Sequence, residues 1–420
     1  MVPENEIEGF FAEASSLDLE KYLLFTYRFE TSLNPRLATA NLCCEQSTAQ
    51  WKRPGREEDF RPLHGAKCVE LREEGSRESR KIYEVVVAHP WINFGARIPN
   101  LLSAAAGEGP FYCPGIEKIK WTDIHFPASY LALFEGPQFG LKGLREILGV
   151  YERPIFIGVV KPNIGLPPEE FAEIAYQSWL GGLDIAKDDE MLGDIDWSPL
   201  PERARCCSTK MQKAIQETGQ KKIYLASITD EVDQISFLHD QAVQNGANCV
   251  MLNGIFTGVS AVRALRRISR VPVMSHFTGT AAFSRLPDFG MSSLVYTKLQ
   301  RLAGADLIGL AGFGERMHNS DEEVLANIQA CLEPWQHIVP VLPIPGGSDW
   351  AGSLPLVHQK IGHADFGFIS GRGVFGHPQG PAAGAKSLHE AWEAIQKKIS
   401  LEDYAKEHAA LFQALKAFSH

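Results

Sequence analysis

The sequence lacks the features of a membrane protein, a secreted protein or a nucleic-acid-binding protein. No apolar run approaches the roughly 20 residues that a helix needs to cross a bilayer. Residues 1–22 are acidic and have neither the basic start nor the apolar core of a signal peptide. A net charge of -10 argues against nucleic acid or an anionic membrane as partner, but it leaves an anionic small substrate open.

The eight cysteines show neither the spacing of a zinc site nor that of a small disulfide framework. Two pairs are adjacent, at 43–44 and 206–207, and the rest are scattered. In a chain of 420 residues we expect reduced thiols and a cytoplasmic location. The length exceeds that of one typical domain, so we expect at least two.

One unit recurs from residue 154 onward: a short apolar run followed by a helical pattern. The runs occupy 154–162, 182–190, 222–230, 247–254, 271–279, 305–313, 338–347 and 365–373. Nearly continuous apolar strands that alternate with helices indicate a parallel sheet covered on both faces. Eight such units over about 250 residues predict a (β/α)8 TIM barrel, with a doubly wound open sheet as the alternative.

The first part of the chain has a different pattern. Segments 21–31 and 81–90 have the composition of strands, 51–65 of a charged loop, and 135–149 ends the region as a helix. We predict a smaller α+β N-terminal domain over 1–148. The barrel domain then covers 149–420, and its helical end over 384–418 covers the barrel or an interface.

The stretch GGLDIAKDDE runs from an apolar strand directly into four charges, Lys187 to Glu190. Such charges are costly to bury unless something pairs them. Strand alternation places Lys187 and Asp189 on one side, and Glu190 joins them only if the strand bends. The pattern fits either a salt-bridged strand end or a metal site. In a barrel these residues lie at the C-terminal mouth, where active sites are found.

Further polar or glycine-rich strand ends meet at the same mouth. Lys161 is either a fixed cation or a proton carrier, and His276 is either a satisfied core residue or a substrate contact. Around strands seven and eight, glycines allow backbone N–H groups to approach a phosphate, or simply form tight turns; these are Gly346, Gly347, Gly371 and Gly373. Arg372 either adds a charge-assisted bond or points into solvent.

Five segments in order over nearly the whole chain carry a family resemblance. GVVKPNIGL and GGLDIAKDDE resemble the large subunit of ribulose-bisphosphate carboxylase/oxygenase, RuBisCO. CCEQSTAQW (43–51), LPIPGGSD (342–349) and SGRGVFGHPQGP (370–381) agree with it. The family combines an α+β N-terminal domain with a (β/α)8 barrel, as predicted above.

The chain departs from the pattern of true carboxylases at several of their motif positions. Where carboxylases have a second lysine on the first strand, this chain has Asn163, and the arginine after their fifth-strand histidine is replaced by Phe277. Their sixth-strand histidine corresponds to Gly309. A serine and a threonine of the carboxylases are replaced by Pro345 and Gln50. They also carry a lysine on the loop after strand six, and residues 312–323 contain none. The chain is similar to RuBisCO-like, form IV proteins, near the photosynthetic-bacterial branch associated with sulfur metabolism.

The resemblance implies a site and an assembly. Lys187 would react with CO2 to give a carbamate that binds Mg2+ together with Asp189 and Glu190, and Lys161 would transfer a proton at the substrate carbon. His276 would contact a substrate oxygen or carry a proton. A segment of the N-terminal domain would complete the partner's site in a homodimer, through Glu45, Gln50 and Trp51; the alternative for Trp51 is ordinary packing.

Three functions follow from these residues, in order of preference. The first is a Mg2+-dependent enolase or isomerase that forms an enediolate of a phosphorylated sugar-like substrate, with a role in sulfur (methylthio) metabolism. The second is a non-catalytic regulatory or ligand-binding protein. The third is a true carboxylase, which the missing lysine and histidine argue against.

Overall fold

The computed structural model describes residues 1–50 and 59–419, which form two compact units. The first comprises Met1–Glu135, Gly279–Leu302 and Trp335–Ile338, and the second Gly136–Thr278, Ala303–Pro334 and Val339–His420. The division at residue 148 stays a prediction.

The strands, in chain order, are β1 (Tyr22–Thr31), β2 (Lys67–Arg77), β3 (Arg80–Pro90), β4 (Lys118–His125), β5 (Ile155–Val159), β6 (Ile185–Lys187), β7 (Ile223–Ser227), β8 (Cys249–Leu252), β9 (Val273–Ser275), β10 (Gly290–Met291), β11 (Leu307–Ala311), β12 (Leu342–Gly346) and β13 (Gly367–Ser370). The helices are α1 (Pro35–Glu45), α2 (Arg61–His64), α3 (Ile98–Ala106), α4 (Glu108–Tyr112), α5 (Ala128–Leu131), α6 (Gly140–Leu148), α7 (Pro168–Leu180), α8 (Leu200–Thr218), α9 (Ile235–Gln244), α10 (Val259–Ile268), α11 (Thr280–Ser284), α12 (Ser293–Ala303), α13 (Asp321–Leu332), α14 (Leu354–Ile361), α15 (Arg372–Phe375), α16 (Pro381–Lys397), α17 (Leu401–Ala405) and α18 (Ala409–Phe418). Short 3-10 helices cover Glu4–Phe10, Ala14–Ser16, Leu19–Lys21, Trp91–Asn93 and Glu315–Met317.

The first unit is built on a five-stranded sheet with the order β10-β4-β1-β3-β2. Its central strand β1 alternates strictly between buried and half-buried residues over its first eight positions, and it pairs antiparallel with β3 and β4. Phe25, Tyr27 and Trp121 pack ring against ring on the covered face. β2 is an edge strand whose charged sequence discourages pairing with other chains.

The second unit contains the eight-stranded parallel sheet predicted from the sequence, in the order β12-β11-β9-β8-β7-β6-β5-β13. The end strands β12 and β13 lie side by side, so the sheet curls into a nearly closed barrel. Each of the eight predicted apolar runs contains one of these strands. The interior is filled by branched and long apolar side chains, among them Ile157, Ile185, Leu225, Met274 and Leu307. This architecture confirms the predicted fold class.

Helices cover the barrel as the pattern requires. α7, α9 and α13 follow β5, β7 and β11, as the repeated unit predicts, and α16, α17 and α18 account for the helical C-terminal part. Throughout the part of the chain that the structure describes, no helix is both long and apolar enough to cross a membrane. All eight cysteines are free thiols.

Candidate active site at the barrel mouth

Successive side chains point to opposite sides where β6 ends, so Asp188 points away from the side that carries Lys187 and Asp189. Asp188 is completely buried, and its carboxylate accepts hydrogen bonds from Arg203 on α8 at 3.2 Å, from the Tyr224 hydroxyl at 2.8 Å and from the Ser227 amide at 2.9 Å. A buried charge with this many partners is satisfied and has no capacity left for a ligand. Asp188 therefore fixes β6 against its neighbours.

Lys187 has the opposite character. Its side chain is fully buried, and among the described residues its Nζ has no hydrogen-bond partner. The nearest acid is Glu190, whose Oε2 lies 3.9 Å away, which is an ionic contact but too long for a hydrogen bond. Burial lowers the pKa of Lys187 and outweighs the opposing effect of the Glu190, Asp189 and Asp188 carboxylates. The amine is thus easier to deprotonate than an exposed lysine.

Asp189 and Glu190 connect this lysine to the other predicted site residues. Asp189 Oδ2 accepts a hydrogen bond from Lys161 Nζ at 2.9 Å, and its Oδ1 accepts one from the Met191 amide at 3.1 Å. Glu190 Oε2 lies 3.6 Å from Nε2 of His276. The structure therefore brings together the two predicted catalytic residues and the three predicted metal ligands.

The environment of His276 favours one assignment of its ring proton. The Thr278 amide, which can only donate, lies 3.2 Å from Nδ1, and the Thr278 hydroxyl, which can donate or accept, lies 2.6 Å from it. We assign Nδ1 as the acceptor because this satisfies both contacts. The proton of the neutral ring is then on Nε2, which faces Glu190. Burial, followed by the positive charge of Lys187, holds the pKa of His276 well below its usual value. His276 is therefore a neutral hydrogen-bond donor at neutral pH.

The glycines at the end of β12 are required by packing. A Cβ at Gly346 would lie 2.9 Å from Cγ2 of Ile369, and one at Gly347 would lie 2.7 Å from the Phe313 carbonyl oxygen. The Gly347 amide donates to the buried Asp349 carboxylate at 3.0 Å. Burial raises the pKa of this carboxyl group to about 6.

Of the residues that follow β13, one borders the charged cluster at the barrel mouth and two make other contacts. A Cβ at Gly371 would lie 3.0 Å from Cε of Lys161, so Gly371 borders the charged cluster. A Cβ at Gly373 would lie 2.5 Å from Cβ of Trp350, which is a packing constraint. Arg372 is exposed, and its guanidinium lies 5.6 Å from the ring centre of Phe418 on α18. This contact is of the cation–π type.

The remaining predicted residues belong to the first unit. Glu45 is the exposed last residue of α1, and the Gln50 side chain accepts a hydrogen bond from the Phe60 amide at 2.8 Å. Trp51 lies outside the described residues.

The donor set fits Mg2+ on one condition. Within 1–50 and 59–419, no three His, Cys, Asp or Glu side chains form a metal-binding group. Asp189 and Glu190 offer two carboxylates, whereas Mg2+ prefers six oxygen ligands and usually keeps several waters. A third anionic oxygen at this position requires modification of Lys187. Its buried, unpartnered amine with a lowered pKa is suited to attack CO2.

The sequence pattern places Asn253 at the mouth as a polar strand end, whereas the supporting roles of Asn163 and Ser227 were not predicted. Asn163 Oδ1 accepts a hydrogen bond from Lys161, and Asn253 Nδ2 donates to the Glu190 carbonyl oxygen at 3.1 Å. Asn253 Oδ1 and the Ser227 hydroxyl are buried and, in the described ranges, have no partner. Asn253 and Ser227 both stand at or just after the end of an apolar run, which is the signal that identifies Lys161 and His276.

Known proteins resemble this chain over most of its length. The family model of the ribulose bisphosphate carboxylase large chain, catalytic domain, matches residues 140–418. A ribulose bisphosphate carboxylase-like protein of Allochromatium vinosum is 55% identical, covering 98% of this chain and 93% of its own length.

Two solved structures share the fold over the whole chain. The octameric Rubisco of Pyrococcus horikoshii, in complex with sulfate, has a TM-score of 0.91 at 30% identity and covers 98% of this chain and 97% of its own. The dimeric Rubisco of Hyperthermus butylicus has a TM-score of 0.89 at 29% identity, with 98% and 99% covered.

Proposed function

Since the chain belongs to the RuBisCO large-chain family, we propose that it is a Mg2+-dependent enolase or isomerase of a phosphorylated sugar-like substrate, and that it does not fix CO2. The observation that carries the proposal is the buried Lys187 amine, which lacks a hydrogen bond to any described residue and lies beside the Glu190 and Asp189 carboxylates. A site built only for stability would pair that amine. We place the reaction in sulfur (methylthio) metabolism, as the resemblance to form IV proteins implies.

Each side chain at the mouth has a role in this proposal. Asp189, Glu190 and a CO2-modified Lys187 would hold Mg2+, which when bound stabilises negative charge on substrate oxygens. Lys161 moves the proton of the substrate carbon at its Nζ, and Asn163 and Asp189 orient this group. His276 donates from Nε2 to a substrate oxygen. The ends of β12 and β13 hold the phosphate.

Carboxylation needs a further cation, because a new carboxylate in a dry site is costly without one. The loop after β11 has Arg316 as its one basic residue besides His318, and Arg316 donates to the Ser348 hydroxyl on the loop after β12. The loop also packs on Gly347 through the Phe313 carbonyl oxygen. Arg316 therefore connects the loop after β11 to the loop after β12.

The test is to follow exchange of α-protons with deuterated solvent on phosphorylated ketoses and their methylthio analogues, with and without Mg2+. We expect metal-dependent exchange with a monophosphate. With ribulose 1,5-bisphosphate and labelled CO2, we expect no 3-phosphoglycerate. Stoichiometric 3-phosphoglycerate would show a carboxylase, and the absence of exchange with every compound would favour a non-catalytic binding protein.

We further propose a homodimer in which a second copy covers the mouth, its first unit contributing Glu45, Gln50 and Trp51. Exposed apolar side chains follow the C-terminal ends of β5, β6, β7 and β8, and we call this set the apolar collar: Ile164, Met191, Trp197, Val232 and Phe256. Their exposed fractions run from 43% for Trp197 to 64% for Phe256. We propose that the second copy covers these side chains, since apolar side chains grouped on a surface mark interaction sites.

Sedimentation velocity tests the dimer. We expect a dimer at micromolar concentration, and dissociation in the variant Val232→Asp/Phe256→Lys. The control is Phe412→Lys, because Phe412 on α18 is 51% exposed and lies outside the collar. A fully active monomer would contradict the proposal.

A further inference from the structure

The Gly347 amide, at the proposed phosphate site, is already engaged by a side chain of its own loop. It donates to Oδ2 of Asp349 at 3.0 Å. A backbone N–H group at such a loop binds an anion by donating to one of its oxygens. The Asp349 carboxylate and a bound phosphate therefore compete for one donor.

Further contacts hold Asp349 in this position. The residue is buried, with 7% of its surface exposed, and its Oδ1 lies 3.2 Å from the Ser353 hydroxyl, which can donate to it. The carbonyl oxygen of Asp349 accepts a hydrogen bond from the Ser370 hydroxyl on β13 at 2.7 Å. Asp349 thus joins the ends of β12 and β13, and its carboxyl group stays beside the Gly347 amide.

The donors to this carboxyl group are neutral, so they leave its charge uncompensated. Burial raises the pKa of Asp349 to about 6, against the opposing effects of the Gly347 amide and the Ser353 hydroxyl. A phosphate oxygen on the same amide would lie next to the ionised carboxylate and repel it. One proton shared by the two groups removes this repulsion.

Other charged or titratable side chains stand on the elements around the loop: Glu315, Arg316 and His318 after β11, His358 and Lys360 on α14, Arg372 on α15 and Lys161 after β5. Lysine and arginine ordinarily stay protonated between pH 7 and 8, and glutamate stays ionised. Burial, followed by the nearby His363, lowers the pKa of His358, so this ring is neutral in that range. His318 is the histidine whose titration a control must remove.

We propose that Asp349 is a specificity-determining residue of the phosphate site, which admits an anion only together with one proton. The proton lies either on the anion or on the Asp349 carboxyl group. The inference rests on the proposed function, because the phosphate site at β12 and β13 is part of it. It adds that anion binding weakens as the pH rises, independently of the chemistry at the metal.

The test is calorimetric titration of the Mg2+-loaded protein with sodium sulfate, because sulfate stays a dianion near neutral pH and cannot supply the proton. Its affinity should fall about 10-fold from pH 7 to pH 8 and become constant well below pH 6. Titrations at pH 8 in buffers of different ionisation enthalpy should show that about one proton is taken up per sulfate bound.

Variants assign the proton to its residue. Asp349→Asn keeps the shape of the side chain and removes its titration, so its sulfate affinity should change less than about 2-fold from pH 7 to pH 8. At pH 8 this variant should bind sulfate about 10-fold or more tighter than the parent. Glu315→Gln is the matched control, because it removes one negative charge from the exposed loop after β11. Glu315→Gln and His318→Gln should both keep the pH dependence of the parent.

The outcomes separate the inference from the proposed function. Equal sulfate affinities at pH 7 and 8, a pH dependence that survives in Asp349→Asn, or one that disappears in His318→Gln would overturn the inference alone. Proton-coupled sulfate binding without exchange of α-protons on any phosphorylated ketose would leave the inference standing and overturn the enolase. Failure of sulfate to bind would overturn the inference together with the phosphate site. If Asp349→Asn does not fold, the proton uptake of the parent and of His318→Gln decides.

Discussion

Strand β6 carries buried charges at both of its ends, and the two clusters differ in how completely they are paired. At the start, Asp184 accepts two hydrogen bonds from Arg153, at 2.5 and 2.8 Å, and one from the Phe156 amide at 2.8 Å. Lys222 beside it donates to the Leu183 carbonyl oxygen at 2.9 Å and to Gln220 at 2.8 Å. At the other end, Lys187 has no hydrogen bond within the described residues.

We interpret this difference as a division between stability at one end of the strand and the proposed chemistry at the other. In a TIM barrel the N-terminal end serves stability, and the C-terminal end holds the active site. Charges that only hold the fold are paired, because an unpaired buried charge costs several kcal/mol. Charges that must bind a ligand remain incompletely paired until the ligand arrives.

The largest effect is expected from Lys187→Met, which should break the functional end and leave the fold intact. Metal-dependent proton exchange should fall about 1000-fold or more, because the third anionic ligand is lost. The free energy of unfolding should not fall, since a costly buried amine without a hydrogen bond is replaced by an apolar chain of similar length. Exchange rates and urea midpoints measure the two effects.

The matched control is one residue away. Asp188→Asn keeps the shape but removes the charge that Arg203 pairs with, so it should lose about 3 kcal/mol of stability and keep exchange. Undiminished exchange in Lys187→Met would show that Lys187 is not the metal-site lysine. Loss of exchange in a folded Asp188→Asn would contradict the separation of the two faces.

The second effect concerns the paired charges at the start of β6. Arg153→Met leaves the Asp184 carboxylate, whose side chain is 3% exposed, without its cation. We expect the free energy of unfolding to fall by about 3 to 5 kcal/mol, because the buried charge becomes uncompensated. Proton exchange should be retained at temperatures where the variant stays folded. A urea midpoint equal to that of the parent would refute the structural role of this cluster.

Much of the architecture was predictable because the sequence repeats one pattern. Eight apolar runs predict eight parallel strands, and polar residues at their ends predict the mouth. Strands β2 and β4 were missed, since both carry charged residues and lack the continuous apolar run that identifies the barrel strands. Alternation correctly predicts that Lys187 and Asp189 share a side and that Asp188 points away.

The rest depends on contacts between residues distant in sequence. The assignment of the His276 proton to Nε2 rests on the Thr278 amide and hydroxyl that face Nδ1, which no spacing rule predicts. The engagement of the Gly347 amide by Asp349 requires the turn geometry. The sequence also leaves open whether Arg372 reaches a phosphate, whereas the structure stacks it on Phe418, 46 positions later in the chain.

The smallest expected effect is a pH dependence of stability caused by Lys222, at the start of β6. Burial, assisted by the charge of Arg153 and opposed by that of Asp184, lowers the pKa of Lys222 from 10.5 to about 8. Between these two values the unfolded chain holds a proton that the folded protein has released, so stability rises with pH across that window. Below pH 8 both states are protonated, and the full cost of burying the charge is present.

The variant Lys222→Met removes this titration and isolates it from the tyrosines and cysteines that ionise in the same range. Relative to the variant, the parent should gain up to about 3 kcal/mol of unfolding free energy between pH 8 and 10.5, measured by urea unfolding at each pH. Lys221→Met is the control, because Lys221 is exposed and next in sequence, and it should follow the parent curve. If the unfolding free energies of the parent and of Lys222→Met change in parallel with pH through this window, burial does not lower the pKa of Lys222. The charges at the start of β6 would then differ from those at its end only in the number of their hydrogen bonds.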